Sequence, residues 1–141
     1  MAGIKALIGD EVQDKSGKMC PVEEICAGKK AVGIYFSAHW CPPCRGFTPV
    51  LAEFYKENDG DCVIIFVSSD RDQASFDEYF GEMPWYALPF AKRDVKESVS
   101  QKYGVRGIPT LVVLRPDGTT IEENGRGSVA NSNGKFPQNW C

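Results

Sequence analysis

The stretch that decides the fold covers residues 31–44 and has the sequence AVGIYFSAHWCPPC. Its first six residues form an apolar run that predicts a buried strand. After Cys44, apolar residues recur at the spacings of three and four that are typical of an amphipathic helix (Phe47, Val50, Leu51, Phe54, Tyr55). Cys41 is therefore placed at a helix N-terminus, where unpaired backbone N–H groups and the helix dipole favour an anion. We expect the pKa of the Cys41 thiol to lie below its ordinary value, with Cys44 one turn further along on the same side of the helix.

This pair of thiols predicts thiol–disulfide exchange, in which Cys41 attacks a disulfide and Cys44 resolves the mixed disulfide. Three other interpretations compete with it. A zinc site needs a second cysteine pair or paired histidines, whereas His39 is the only histidine and the remaining cysteines lack the C-x-x-C spacing (Cys20, Cys26, Cys62, Cys141). We therefore expect no metal. A purely structural disulfide would close too short a loop to remove much entropy, and a degenerate site that only binds partners is disfavoured because both sulfurs are present.

Length and composition limit the number of domains and the class of protein. The 141 residues predict a single domain that spans residues 1–141. Hydrophobic residues make up 43% and charged residues 25%, as in soluble globular proteins, and no apolar stretch approaches the length of a membrane span. A net charge of −3 gives no reason to bind nucleic acid or an anionic membrane. The N-terminus lacks the apolar run of a secretory signal, and six cysteines with one working pair fit a reducing compartment, so we expect a cytoplasmic location.

Apolar periodicity and turn residues predict the order β-α-β-α-α-β-β for the main part of the chain. The predicted strands cover residues 31–37, 62–67, 110–114 and 119–121, and the predicted helices run from near 41 to about 58, from 72 to 80 and from 95 to 103. Leu7, Ile8 and Val12 before a turn at 14–17 predict an N-terminal hairpin, followed by a short helix within residues 21–28. Residues 83–90 are expected to be irregular, and residues 131–134 to form a surface loop. Crossover helices make the first strands parallel and the final hairpin antiparallel, so the fold class is α/β with a mixed central sheet and helices on both faces. The two thiols then follow the carboxyl end of a central strand.

Four short strings of sequence carry a resemblance to a known family. They are FSAHWCPPCR at residues 36–45, VSSDRD at 67–72, MPW at 83–85 and IPT at 108–110. Together they resemble the thioredoxin fold, and within it the nucleoredoxin and tryparedoxin group, over about residues 30–127. The SSDRD string is closer to nucleoredoxins, which usually contain several domains. The resemblance implies a thioredoxin-like fold with helices on both faces of the sheet.

The resemblance also implies a substrate groove beside the thiols. In this family the Ile108–Pro109 bond is cis and faces the two cysteines, where it holds the preceding backbone ready to pair with a bound peptide. Trp40 and Pro42 complete the groove, and Trp40 shields the nucleophile. The competing interpretations are an ordinary trans turn proline at position 109 and a core aromatic at position 40.

Proton handling is expected to differ from that of ordinary thioredoxins. Tyr35 occupies the position six residues before Cys41, where ordinary thioredoxins carry a buried acid. A phenol is a weaker base at neutral pH, so we expect Asp70, at the end of the second buried strand, to take part; the alternative is that Asp70 caps a helix or forms a turn. His39 is expected to be a solvated rim residue rather than a base, with a slight lowering of the Cys41 pKa when it is protonated.

These observations predict a protein-disulfide reductase that uses no cofactor beyond its own Cys41–Cys44 disulfide. Its partners would be protein disulfides and an upstream reductase or low-molecular-weight thiol. Two alternatives are a tryparedoxin that passes electrons from trypanothione to peroxidases, and a redox-sensitive module that binds a partner only when reduced. The guanidinium of Arg71 disfavours a cationic donor, so we expect a thioredoxin-reductase-type enzyme or glutathione in preference to trypanothione. The other cysteines are expected to be spectators, with Cys141 exposed at the terminus.

Overall fold

The computed structural model describes residues 3–132, 135–137 and 140. This part of the chain forms six helices and seven strands. The helices are α1 (Gly3–Ile8), α2 (Val22–Cys26), α3 (Pro42–Asn58), α4 (Gln73–Phe80), α5 (Arg93–Lys102) and α6 (Gly125–Ala130). The strands are β1 (Glu11–Gln13), β2 (Met19–Pro21), β3 (Ala31–Ser37), β4 (Cys62–Ser68), β5 (Tyr86–Ala87), β6 (Thr110–Leu114) and β7 (Thr120–Glu122).

The strands form one mixed sheet in the order β2-β1-β5-β4-β3-β6-β7. β3 pairs in parallel with β4, from Ala31 opposite Cys62 to Ser37 opposite Ser68. β6 pairs antiparallel with β3 and forms a hairpin with β7. The prediction of a mixed α/β sheet is confirmed, and the two fully buried strands, β3 and β4, lie at its centre, where both faces are covered.

Alternate residues of the central strands enter two separate cores. On one face, Tyr35 and Phe66 pack with side chains of α3, α4 and α6. On the other face, Ile34 and Ile65 pack with side chains of α1, α2 and α5. Gly33 lies on the same strand face as Tyr35, where a Cβ atom would lie 3.0 Å from Leu111 Cδ1. The predicted arrangement of helices on both faces is therefore confirmed.

Three elements differ from the prediction. Ile8 belongs to α1 rather than to the hairpin, because Ile4 and Ile8 are spaced by one helical turn and both are buried; the hairpin itself is confirmed as β1 and β2. β5 is a two-residue strand inside the segment expected to be irregular. α6 was not predicted, since its GRGSVA sequence has two glycines and little helix propensity. Cys141 and residues 133–134 of the predicted tail loop lie outside the described residues.

Candidate active site

Cys41 and Cys44 lie where β3 gives way to α3. Cys41 is the N-cap of α3, and Pro42 occupies the first helical position, where a missing N–H costs nothing. Pro43 also lacks an N–H, so the backbone N–H of Cys44 is the first that the helix offers. It donates to Cys41 Sγ over 3.3 Å. The two sulfurs form a disulfide, with 5.2 Å between the Cα atoms. A thiolate at Cys41 would accept the same hydrogen bond.

The two cysteines differ in access to solvent. Cys41 is 5% exposed and Cys44 is fully buried, and the two cysteines form a small apolar cluster with Ala38, against which Ile108 packs. Cys41 Sγ lies 3.7 Å from the carbonyl oxygen of Ile108, and the Ile108–Pro109 bond is cis, as the resemblance implies. Cys41 is therefore the sulfur that an incoming disulfide reaches first.

Trp40 lies beside Cys41 at the surface. Its side chain is 53% exposed, so it is not a core aromatic. The indole N–H donates to the Ser69 carbonyl over 3.0 Å, and the Arg71 guanidinium lies 5.6 Å from the centre of the ring. These two contacts hold the ring as a flat apolar surface next to the nucleophile. Pro42, the residue after Cys41, is exposed.

A cavity of about 500 Å³ opens beside Cys41. Trp40 and Ile108 line this cavity together with Cys41, and so do the basic side chains of Lys96 and Arg106. The predicted groove residues Trp40 and Ile108 are thus brought together with Cys41. Sequence reasoning missed Lys96 and Arg106, because no motif marks them.

Asp70 is buried and holds the loop that carries His39 and Trp40. Its Oδ1 accepts the His39 backbone N–H over 2.7 Å, and its Oδ2 accepts the Ser68 hydroxyl over 2.7 Å. The N-cap of α4 is Asp72, which accepts the Ser75 N–H, so the alternative that Asp70 caps a helix is wrong. The half-buried His39 ring lies 5.6 Å from the Tyr79 ring. A proton-handling role for Asp70 stays a prediction.

Tyr35 belongs to a closed ring of four buried hydroxyl groups. The Tyr35 hydroxyl lies 2.7 Å from Thr48 Oγ1, which lies 2.6 Å from the Tyr79 hydroxyl. Ser37 Oγ completes the ring, 2.7 Å from the Tyr79 hydroxyl and 3.2 Å from that of Tyr35. Thr48 Oγ1 also donates to the Cys44 carbonyl over 3.0 Å. The ring therefore lies directly behind the first turn of α3. We name it the hydroxyl ring.

Burial, followed by the neighbouring Tyr79 hydroxyl, raises the pKa of Tyr35 far above its ordinary value. The phenol therefore stays protonated at neutral pH and acts as a hydrogen-bonding group rather than as a base. Sequence spacing could have indicated two members of the hydroxyl ring. Thr48 is one helical turn after Cys44, and Ser37 is on the same strand face as Tyr35. Tyr79 gave no signal, because it comes from α4.

Arg93, at the start of α5, is a further residue that the sequence did not mark. Its guanidinium donates to the Ser68 carbonyl over 2.9 Å and to the Phe90 carbonyl over 2.6 Å. It also lies 4.1 Å from the centre of the Phe90 ring. Arg93 thereby fixes the carboxyl end of β4, from which Ser69 and Asp70 reach the site.

The remaining described cysteines are unpaired. Burial raises the pKa of the Cys26 thiol to about 11 and that of the Cys62 thiol to about 12, and it also raises the pKa of the half-buried Cys20. Within the described residues, no three His, Cys, Asp or Glu side chains converge as a metal site would require. In the same part of the chain, no helix is long and apolar enough to cross a bilayer.

A dithiol at the N-terminus of a helix, on a mixed sheet and opposite a cis-proline, defines the thioredoxin-fold class of redox proteins. The chain belongs to the thioredoxin-like family, whose model matches residues 28–120. Mouse nucleoredoxin is 52% identical over 103 residues, which cover 71% of this chain and 24% of that protein. The chain therefore spans about a quarter of the length of the nucleoredoxins it matches.

Solved structures agree with this assignment. Tryparedoxin II from C. fasciculata is 34% identical with a TM-score of 0.88, and the match covers 94% of this chain and 89% of that one. A structure of tryparedoxin II complexed with glutathionylspermidine has a TM-score of 0.85 at 34% identity, with 92% of each chain covered. The predicted recognition of the nucleoredoxin and tryparedoxin group is confirmed. The chain therefore contains a thioredoxin-like domain with a disulfide-capable Cys41–Cys44 pair.

Proposed function

We propose that this protein reduces disulfide bonds in other proteins through Cys41 and Cys44. The observation that supports this most is the Cys44 N–H directed at Cys41 Sγ, because it favours a thiolate on the one site sulfur that reaches the surface. The exposed face of Trp40 and the cavity beside it leave room for a polypeptide at that sulfur.

The reaction proceeds in two exchanges. The Cys41 thiolate attacks one substrate sulfur; the substrate S–S bond breaks, and the second substrate sulfur leaves as a thiolate that takes up a proton. Cys44 then loses its proton and attacks Cys41 Sγ, which releases the first substrate sulfur as a thiol. Two electrons and two protons pass to the substrate, and the Cys41–Cys44 disulfide remains. No cofactor beyond this disulfide takes part.

The Cys41–Cys44 disulfide must then be reduced again by a dithiol or by two thiols. Arg71 lies over the Trp40 ring at the rim of the site, where its positive charge disfavours a cationic donor. We propose glutathione or a thioredoxin-reductase-type enzyme, although a related tryparedoxin II has been solved with glutathionylspermidine. Steady-state reduction by glutathione and by trypanothione should favour glutathione. A rate advantage for trypanothione that falls as salt rises would instead favour the tryparedoxin alternative.

A reducing compartment fits this activity. Cys20, Cys26 and Cys62 are unpaired thiols, and such thiols persist where glutathione and thioredoxin systems keep cysteines reduced. We propose the cytoplasm as the location.

Insulin reduction tests the proposed activity. Cys41→Ser should abolish turnover, and Cys44→Ser should leave Cys41 joined to its partner as a stable mixed disulfide. Cys20→Ser is the matched control, since it removes a half-buried thiol outside the site and should keep full activity. If the wild type shows no turnover but retains a partner only when it is reduced, the binding-module alternative replaces the reductase.

A further inference from the structure

The cavity beside Cys41 has a charged wall that thiol–disulfide exchange itself does not need. Lys96, half-buried in α5, and Arg106, exposed in the segment before Ile108, both line this cavity with Cys41. The ion pairs within the described residues involve Lys5 and Lys30, so Lys96 and Arg106 are both without an acidic partner there. We name this pair the cationic wall.

One carboxylate, that of Glu97, lines the same cavity. It is exposed, and its Oε1 accepts a hydrogen bond from the Gln101 side chain over 3.4 Å. The lining of this cavity therefore contains two cations and one carboxylate, whereas the whole chain carries a net charge of −3. A local positive field on an acidic protein attracts anionic partners to that place and repels cationic ones.

We propose that the cationic wall selects polypeptide disulfides whose cysteines are flanked by acidic residues. This inference rests on the proposed reductase function. Cys41 and Arg106 line the same cavity of about 500 Å³, so residues next to the attacked sulfur have room in it while that sulfur is at Cys41. A glutamate or aspartate beside the substrate cysteine meets an ammonium and a guanidinium, and the guanidinium can bind a carboxylate through two parallel hydrogen bonds.

The test uses two peptides that each contain one disulfide and differ only in the flanking residues, which are Glu in one and Gln in the other. Reduced protein is mixed with each peptide, and the second-order rate constant of a single turnover is measured. The wild type should reduce the Glu peptide roughly three- to tenfold faster, the effect expected of two exposed ion pairs. The double variant Lys96→Gln/Arg106→Gln should lose this preference, so that it reduces the two peptides at equal rates. Raising the salt concentration should also lower the advantage.

Lys15→Gln is the matched control. Lys15 is exposed in the turn after β1. Because β1 runs antiparallel to β5, and β5 runs parallel to β4, this turn lies at the opposite end of the strands from the thiols. This variant should keep the wild-type preference.

The outcomes separate the two proposals. If neither peptide is reduced, the reductase function fails. Equal rates for the two peptides, or a preference that survives in the double variant, overturn the role of the cationic wall and leave the reductase function intact. Glutathione disulfide forms a third arm. If its rate exceeds that of the Glu peptide and depends on Lys96 and Arg106 in the same way, the selected substrate is a small anion and the polypeptide assignment is wrong.

Discussion

Replacing Thr48 by valine removes one hydroxyl from the hydroxyl ring and keeps the branched shape of the side chain. The lost oxygen contacts the Tyr35 hydroxyl at 2.7 Å, the Tyr79 hydroxyl at 2.6 Å and the Cys44 carbonyl at 3.0 Å. A buried hydrogen bond contributes about 0.5–1.5 kcal/mol, and Ser37 still reaches both phenols in the variant. We therefore predict that Thr48→Val lowers the free energy of unfolding by about 2 kcal/mol.

Urea unfolding of the oxidised protein, followed by circular dichroism at pH 7, measures this loss. The midpoint should fall by roughly 1 M, given the usual dependence of unfolding free energy on urea. Thr48→Ser keeps the hydroxyl and should cost about 1 kcal/mol, through the lost methyl group.

A double-mutant cycle with Tyr79→Phe isolates the contact between Thr48 and Tyr79. The loss of unfolding free energy in the double variant should be about 1 kcal/mol smaller than the sum of the two single losses, because each single change already breaks the shared hydrogen bond. The hydroxyl ring would be refuted as a connected network if the losses were additive and Thr48→Val were at least as stable as Thr48→Ser.

Three further predictions concern other parts of the molecule. In the reduced protein, iodoacetamide at pH 6 should modify Cys41 at least about tenfold faster than Cys44, because only Cys41 combines access with a hydrogen bond to its sulfur; equal rates would reverse the assignment of the nucleophile. Burial raises the pKa of Cys62 from 9.0 to about 12, so this thiol stabilises the fold below pH 9 and its contribution falls as the pH rises towards 12. Between pH 9 and 11, the unfolding free energy from urea titrations should fall with pH about 1 kcal/mol per pH unit less steeply in Cys62→Ala than in the wild type. The same slope of unfolding free energy against pH in both proteins would contradict the burial effect. Arg93→Lys should lower the free energy of unfolding by about 1–2 kcal/mol, since an ammonium cannot serve the Ser68 and Phe90 carbonyls in the same planar geometry; an unchanged melting temperature would show that these bonds contribute nothing.

The central elements could be predicted because local and global signals agree in them. β3 and β4 are continuous apolar runs, and the structure places both in the middle of the sheet with the predicted bounds at Ala31 and Ser37 for β3. α3 shows a helical period and begins immediately after Cys41, at a proline suited to a first turn. These same features place both cysteines of the site.

Elements held mainly by tertiary contacts were not predictable. β5 pairs with β4 through two residues only, and α6 packs closely against β6 because Gly125 has no side chain: an added Cβ would lie 2.6 Å from Val113 Cγ2. The hydroxyl ring likewise joins side chains from elements far apart in sequence, since Thr48 of α3 contacts Tyr35 of β3 and Tyr79 of α4. For Asp70, the sequence predicted a position after β4 but did not predict the hydrogen bond that its carboxylate accepts from the His39 N–H.

The two outermost strands have a consequence for self-association. β2 and β7 each contain three residues, and β2 ends at Pro21, which has no N–H to donate. Short edges and an edge proline are features that discourage a further strand from adding to a sheet. The backbone of this sheet is therefore a poor template for fibril growth or strand exchange, even when high protein concentrations bring many copies together.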